Sequence, residues 1–196
     1  MIVSHVSRVK PADCPAVRHP LPSRSPFRRS PVKRLAHAIL LLFLLPTLAQ
    51  AATLFVLRHG EDLDEGRDPV LTEAGRERAE YLAEMLADAG IEYVLSSDYH
   101  RTRDTVAFLA ERLALPVEIY DPRDLPQLVA ELERRDGRGL VVGHSTTTPD
   151  LVELLGGKPG EPIHEMEFDR LYIVDTEFDG DALTIQLRYG PRLTSP

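Results

Sequence analysis

The chain has 196 residues, with 23 lysines and arginines against 31 aspartates and glutamates, a formal net charge of −8 and 43% hydrophobic residues. This composition is sufficient for one folded domain with an apolar core and argues against wholesale disorder. The single cysteine excludes an internal disulfide framework and a metal site built from several cysteines.

The net charge is divided unevenly along the chain. Residues 1–51 carry eight basic residues and one acidic residue, Asp13, whereas the other 145 residues carry 15 basic and 30 acidic ones. This main body, with a net charge of −15, repels polyanions. We therefore expect neither nucleic acid nor an anionic membrane surface to be its partner.

Residues 32–51 contain the three parts of a secretory signal peptide. Two basic residues, Lys33 and Arg34, precede an apolar stretch that ends in Ala49-Gln50-Ala51, a small-x-small cleavage motif. We expect cleavage after Ala51 and export to the periplasm, with no stable membrane partner for the mature protein. The alternative is an uncleaved anchor, for which the apolar stretch is short compared with a span of ~20 residues.

Residues 1–31 are rich in proline, arginine and serine and have no hydrophobic periodicity. They would form an unusually long basic region for a signal peptide, so we expect translation to begin at Val32 rather than at Met1. Residues 1–31 are then an upstream extension; if translation does begin at Met1, they are a disordered basic region. Residues 52–196 form the expected functional domain in either case.

From residue 53 onward, short apolar runs alternate with amphipathic stretches. The predicted strands cover residues 53–57, 93–96, 117–120, 139–142, 171–175 and 182–189, and the predicted helices cover residues 73–89, 101–113, 124–134 and 149–155. Thr72 is placed to cap the first helix, and Asp179-Gly180 to form the turn between the last two strands. The alternation predicts an α/β fold, a three-layer α/β/α sandwich with a mostly parallel central sheet.

Polar residues follow three of the predicted strands. The first strand is followed by Arg58-His59-Gly60, the second by Ser96-Ser97 with Arg101 at the next helix start, and the fourth by Gly143-His144. Ligands of open α/β sheets bind beyond the carboxyl ends of the strands, so these side chains are expected to share one cationic pocket. Guanidinium groups and helix N-termini bind phosphate oxygens, and glycine allows close approach of the backbone.

These motifs resemble those of the histidine phosphatase superfamily, in its phosphoglycerate-mutase-like branch (branch 1). The resemblance rests on Arg58-His59-Gly60, on Ser96-Ser97 followed by Arg101-Thr102 and Thr105, on Gly143-His144, and on residues 68–75 before the first helix. It covers nearly all of residues 53–190 in the expected order. It implies a phosphoglycerate-mutase-like fold and a phosphatase of phosphate monoesters or phosphoramidates that uses no metal and no organic cofactor.

The resemblance also implies a role for each matching residue. His59 is the expected nucleophile, which forms a phosphohistidine that water then hydrolyses. Arg58, Arg101 and His144 are expected to bind the phosphate oxygens and stabilise the charge of the transition state, together with Gly60. His144 is expected to act in its protonated form, which an anionic ligand favours.

The general acid for the leaving group is less clearly defined. Larger relatives supply a glutamate after the third strand, where this chain has Tyr120-Asp121-Pro122-Arg123-Asp124. Asp121 is the first candidate, Asp124 the second and Glu61 the third. The alternative is that Asp121 forms a turn and Asp124 caps the next helix. Without an acid, phosphohistidine or aryl phosphates would be the preferred substrates.

The connection between the third and fourth strands, residues 121–138, is short and predicts an open cleft. An open cleft favours hydrolysis of a small phosphorylated substrate over mutase chemistry, which must protect its intermediate from water. The alternatives are a phosphohistidine-protein phosphatase and a non-catalytic phosphate-binding or sensing module. A metallohydrolase with His59 and His144 as ligands is disfavoured, because no further ligand lies at metal-binding spacing.

Overall fold

The computed structural model describes residues 52–63, 66–176 and 182–190. Within them the strands are β1 (Ala52–Arg58), β2 (Tyr93–Ser97), β3 (Val117–Tyr120), β4 (Gly137–Gly143), β5 (Arg170–Asp175) and β6 (Leu183–Arg188). The helices are α1 (Glu73–Met85), α2 (His100–Leu113), α3 (Leu125–Leu132) and α4 (Thr147–Leu154). The expected signal peptide, its cleavage after Ala51, the start at Val32 and the Asp179-Gly180 turn lie outside the described residues.

One sheet contains all of these strands, in the order β3-β2-β4-β1-β5-β6. The first four strands are mutually parallel, whereas β5 runs antiparallel to β1, and β6 runs antiparallel to β5. The predicted mostly parallel sheet is therefore confirmed. Because β4 lies between β1 and β2, the carboxyl ends of these three strands lie side by side.

Both faces of the central strands are covered by helices. Leu54 and Val56 of β1 join an apolar cluster with α3 and α4, whereas the alternate residues Phe55 and Leu57 join a second cluster with α1 and α2. Burial on both faces explains why the strands appear in the sequence as continuous apolar runs. The predicted three-layer α/β/α sandwich is confirmed.

The side chains of Thr72 and Asp124 cap α1 and α3, and among the helix bounds the end of α1 differs most from the prediction. Thr72 caps α1 as predicted, since its Oγ1 accepts a hydrogen bond of 3.1 Å from the backbone N–H of Gly75. The helix ends at Met85 and continues as turns, so it is four residues shorter than the predicted segment. Among the described helices, none is long and apolar enough to span a membrane.

Candidate active site

A cleft of about 890 Å³ opens where β1 and β4 end and α2 begins. Its lining includes Arg58, His59, Arg101 and His144, so the structure brings these four residues together. The parallel pairing of β1 with β4 places the two histidines side by side, with imidazole centroids 5.4 Å apart. The register of the two strands explains this placement. It pairs Arg58 with Gly143, and the next residue of each strand is a cleft histidine, His59 or His144.

The hydrogen bonds of His59 define its tautomer. Its Nδ1 lies 2.7 Å from the carbonyl oxygen of Gly60, and because a carbonyl only accepts, Nδ1 carries the proton and Nε2 the lone pair. The Gly60 N–H donates to Thr105 Oγ1 at 2.8 Å, and this hydroxyl donates to the carbonyl of Arg101. Gly60, expected among the phosphate-binding residues, therefore orients His59 through its carbonyl oxygen, and its N–H is engaged by Thr105.

The turn that follows His59 is fixed against α1. A Cβ atom at Gly75 would lie 2.2 Å from the carbonyl oxygen of Glu61, so only glycine allows the backbone segments to approach this closely. Nε and Nη2 of Arg78 donate to the carboxylate of Glu61 at 2.9 and 2.6 Å, and Nη1 donates to the carbonyl of Tyr189. This buried pair makes Glu61 a structural residue, contrary to its prediction as a third candidate acid.

Arg58 is oriented by a loop that is distant in sequence. Its Nη1 donates to the carbonyl oxygens of His164, Glu165 and Glu167 at 3.0, 2.6 and 3.1 Å. The ring of Phe168 lies 4.0 Å from the guanidinium carbon, at cation–π distance. Nε of Arg58 is buried and has no hydrogen-bond partner in the described part of the chain.

Arg101 enters the cleft from the first turn of α2. Its Nη2 lies 3.5 Å from Nδ1 of His144, and its guanidinium stacks on Tyr99, 4.6 Å from the ring centroid. Its buried Nε has no hydrogen-bond partner among the described residues; the nearest carboxylate oxygen of Asp62 is 3.7 Å away. A buried donor without a partner costs about 1–3 kcal/mol.

Both cleft histidines are neutral near pH 7 in the ligand-free protein. Burial is the main cause that lowers the pKa of His59 to about 3, and the charge of Arg58 lowers it further, against the opposing hydrogen bond to Gly60. Burial and then Arg101 lower the pKa of His144 to about 4. Neutrality is the state that a nucleophile requires. The protonated form expected of His144 therefore needs a bound anion.

Residues 54–122 match the family model described as the histidine phosphatase superfamily (branch 1). This similarity covers 69 of the 196 residues and includes Arg58, His59 and Arg101. A curated relative, the Probable phosphoglycerate mutase GpmB of Erwinia tasmaniensis, is 34% identical over an alignment of 88 residues that covers 41% of this chain and 40% of the relative. The aligned part thus spans about two fifths of the length of that relative.

Solved structures of low sequence identity show the same fold. The protein histidine phosphatase SixA complexed with tungstate is 22% identical, with a TM-score of 0.57 over 69% of this chain and 96% of its own. The mycobacterial glucosyl-3-phosphoglycerate phosphatase is 18% identical, with a TM-score of 0.52 over 71% of this chain and 99% of its own. The predicted phosphoglycerate-mutase-like fold is confirmed by these histidine phosphatase neighbours.

Asp62 is a cleft residue that no motif in the sequence identified. Its carboxylate oxygens lie 4.0 Å from Nδ1 of His59 and 3.7 Å from Nε of Arg101. Its side chain is 22% exposed, and its backbone is anchored by an antiparallel bridge to Leu71. The one sequence feature that could have indicated Asp62 is its position three residues after His59.

The structure does not bring Asp121 into the cleft. Its carboxylate is 48% exposed and accepts two hydrogen bonds of 2.9 Å from Arg123, which lower its pKa to about 2. It lines a different cavity, of about 440 Å³, with Tyr99 and Arg123. Asp124 caps α3 by accepting from the backbone N–H of Gln127. These placements indicate a turn and a cap rather than proton donors.

The neutral state of His59 predicts that acid destabilises the fold. Between about pH 6.5 and pH 3 His59 is protonated in the unfolded chain but neutral in the fold, so the unfolded state binds more protons. Its contribution to the free energy of unfolding therefore falls by about 1.4 kcal/mol for each pH unit lost in this window. The loss is measured as the difference between the free energies of unfolding obtained from urea titrations at the upper end of this window and at a pH about 1.5 units lower. The loss should be smaller in His59→Gln; equal losses would contradict the assignment.

Proposed function

We propose that this protein is a phosphatase that hydrolyses phosphate monoesters or phosphoramidates through a phosphohistidine on His59. One observation carries the proposal. The cationic side chains of Arg58 and Arg101 line one cleft with His144 and with a neutral His59 whose lone pair is on Nε2. Two guanidinium groups that line one cleft are suited to binding an anion, and the lone pair of His59 is suited to attack on its phosphorus.

The contacts of His59 support both steps of such a reaction. In the first step Nε2 attacks phosphorus, the N–P bond forms and the bond to the leaving group breaks. The imidazole becomes positively charged, and the Nδ1–H bond to the carbonyl of Gly60 stabilises this charge. In the second step water attacks phosphorus, phosphate leaves and neutral His59 is restored. Arg58 and Arg101 offset the charge on the transferring group in both steps.

The leaving group of an alkyl ester needs a proton, and we assign its delivery to Asp62. Glu61 is bound by Arg78, and Asp121 lies outside the cleft, whereas the Asp62 carboxyl group lines it beside Arg101. Substrates with good leaving groups, such as phosphoramidates and aryl phosphates, would depend less on this residue.

The proposal also includes the cellular location of the reaction and the size of the substrate. The signal-peptide pattern of residues 32–51 supports export to the periplasm, and the net charge of −15 on the main body supports a small substrate rather than a nucleic acid. The two arginines supply the positive charge that a metal ion provides in other phosphatases. We therefore propose activity that does not require a metal.

Hydrolysis of p-nitrophenyl phosphate by the full chain, with EDTA and with vanadate, tests the proposed function. We expect EDTA to leave the rate unchanged and vanadate to inhibit, because vanadate occupies the site as a phosphate-like anion. Loss of activity in EDTA that added metal restores would contradict metal independence. Phosphate binding with no hydrolysis of any ester or phosphoramidate would contradict the enzyme and identify a binding module.

A further inference from the structure

A chain of buried hydroxyl groups leads away from His144. Nε2 of His144 lies 3.0 Å from Oγ of Ser97, and this oxygen lies 3.1 Å from Oγ1 of Thr102. Thr102 Oγ1 donates in turn to the backbone carbonyls of Ser97 and Tyr99, at 2.8 and 3.0 Å. Ser97 and Thr102 are both fully buried, so water does not offer them other partners.

The hydroxyl protons of Ser97 and Thr102 define the direction in which the hydrogen bonds of this network run. Thr102 has one hydroxyl proton, which it donates to a carbonyl, and its Oγ1 accepts from the single hydroxyl proton of Ser97. The oxygen of Ser97 is then left as an acceptor towards His144, whose Nε2 must carry the proton. The hydroxyl pair therefore selects the Nε2–H tautomer.

The other side of the ring gives the same result independently. Nη2 of Arg101 lies 3.5 Å from Nδ1 of His144, and a guanidinium group can only donate. Nδ1 therefore presents a lone pair on the side of the cleft where Arg101 lies. The two cleft histidines thus have opposite tautomers, since His59 carries its proton on Nδ1.

We propose that Ser97 is a positioning residue that holds ligand-free His144 with its proton on Nε2, so that a dianionic phosphate group brings one proton onto His144 when it binds. The inference rests on the proposed function, because it concerns the phosphate pocket of that site. A phosphate oxygen beside the Nδ1 lone pair is repelled. A proton taken from solvent onto Nδ1 turns the same nitrogen into a donor for that oxygen.

The groups around His144 favour this proton only when the anion is present. Arg101 and Tyr99 face it from the start of α2, and His59 faces it from the end of β1, with Arg58 contributing a further positive charge. In the free protein these charges oppose a protonated His144. A bound dianion reverses the sign of the local potential and stabilises the imidazolium.

The tautomer can be read directly from the free protein. Long-range ¹H–¹⁵N correlation spectra of the full chain distinguish an imidazole protonated on Nε2 from one protonated on Nδ1. We expect Nε2–H for His144 in the wild type and a mixture of tautomers in Ser97→Ala. A wild-type His144 protonated on Nδ1 would overturn the proposal, whether or not the protein has phosphatase activity.

Proton uptake on binding gives the second readout. Tungstate is a dianion of phosphate shape that stays unprotonated at neutral pH, so a proton taken up with it goes to the protein. Calorimetry near neutral pH, in buffers of different ionisation enthalpy, should show that the wild type takes up about one proton when tungstate binds. The affinity for tungstate should then fall about tenfold for each unit by which the pH is raised. Ser97→Ala should take up less, because its His144 can adopt the donating tautomer without a new proton.

Two further variants separate tautomer selection from loss of packing. Thr102→Val removes the acceptor of the Ser97 proton and should reduce uptake as Ser97→Ala does. Ser96→Ala removes an equally buried hydroxyl on β2 that donates to the Ser97 carbonyl, and it should keep the wild-type uptake. Equal uptake in the wild type and Ser97→Ala would overturn the proposal. Failure of tungstate to bind would contradict the phosphate pocket itself, and the spectra would still decide the tautomer.

Discussion

His59→Ala should reduce the hydrolysis of p-nitrophenyl phosphate by at least about 10⁴-fold, the scale observed when a nucleophile is removed. Alanine has no nitrogen that can form the N–P bond, and the remaining arginines can bind phosphate but cannot split the reaction into two steps. The wild type should trap phosphate as an acid-labile, base-stable phosphoenzyme, measured by acid quench with labelled substrate. The variant should trap none.

His100→Ala is the matched control for this substitution. His100 also lies near the cleft, at the start of α2, but its side chain is 55% exposed and its nearest charged partner is Asp68, 3.9 Å away. Its loss should leave both the rate and the trapped phosphate close to wild-type levels. A phosphoenzyme that persists in His59→Ala, or that disappears equally in His100→Ala, would refute nucleophilic attack by His59.

The fold could be predicted from the sequence because its central strands are buried on both faces. Such strands are continuous apolar runs, and those at residues 54–57 and 140–142 were visible without any structure. Helix ends were predicted less well: the segment after Met85 keeps an apolar periodicity but forms turns. The spacing of apolar residues predicts which face of a helix is buried, but it does not predict the residue at which the helical hydrogen bonds end.

The convergence of the four cleft residues could also be predicted, because each follows a parallel strand or begins the next helix. The hydrogen-bond acceptors that hold the Arg58 side chain in place could not be predicted. Its three acceptors are backbone carbonyls more than 100 residues away in sequence, and a carbonyl has no residue type that a motif could reveal. The same holds for the Arg78 bond to the carbonyl of Tyr189, which helps to fix Glu61.

The prediction of Asp121 rested on the larger relatives, which supply a glutamate after the third strand, and the structure places Asp121 outside the cleft. In the observed order, β3 is an edge strand three positions from β1. At the usual spacing of neighbouring strands this separates their ends by about 14 Å. A short side chain directly after β3 therefore does not reach His59, whereas Asp62 follows β1 itself. Strand order depends on the packing of the whole sheet, which short motifs do not encode.

Asp62→Asn should slow the hydrolysis of an alkyl phosphate by about 10²–10⁴-fold, the usual contribution of a general acid. The amide keeps the shape of the carboxyl group but cannot release a proton to the departing alkoxide. An aryl phosphate, whose phenolate leaves without protonation, should lose much less. The measurement is kcat/KM for a series of phosphate esters with leaving groups of increasing pKa, and the slope of the logarithm of kcat/KM against that pKa should become steeper in the variant.

Asp121→Asn provides the control, since it makes the same chemical change in a carboxylate that pairs with Arg123 outside the cleft. It should leave the whole ester series unchanged. The slope also separates two roles that Asp62 could have, because its oxygen lies 3.7 Å from Nε of Arg101. If Asp62 only orients Arg101, all esters should slow by the same factor and the slope should not move. That result, or a steeper slope in Asp121→Asn, would remove Asp62 as the proton donor.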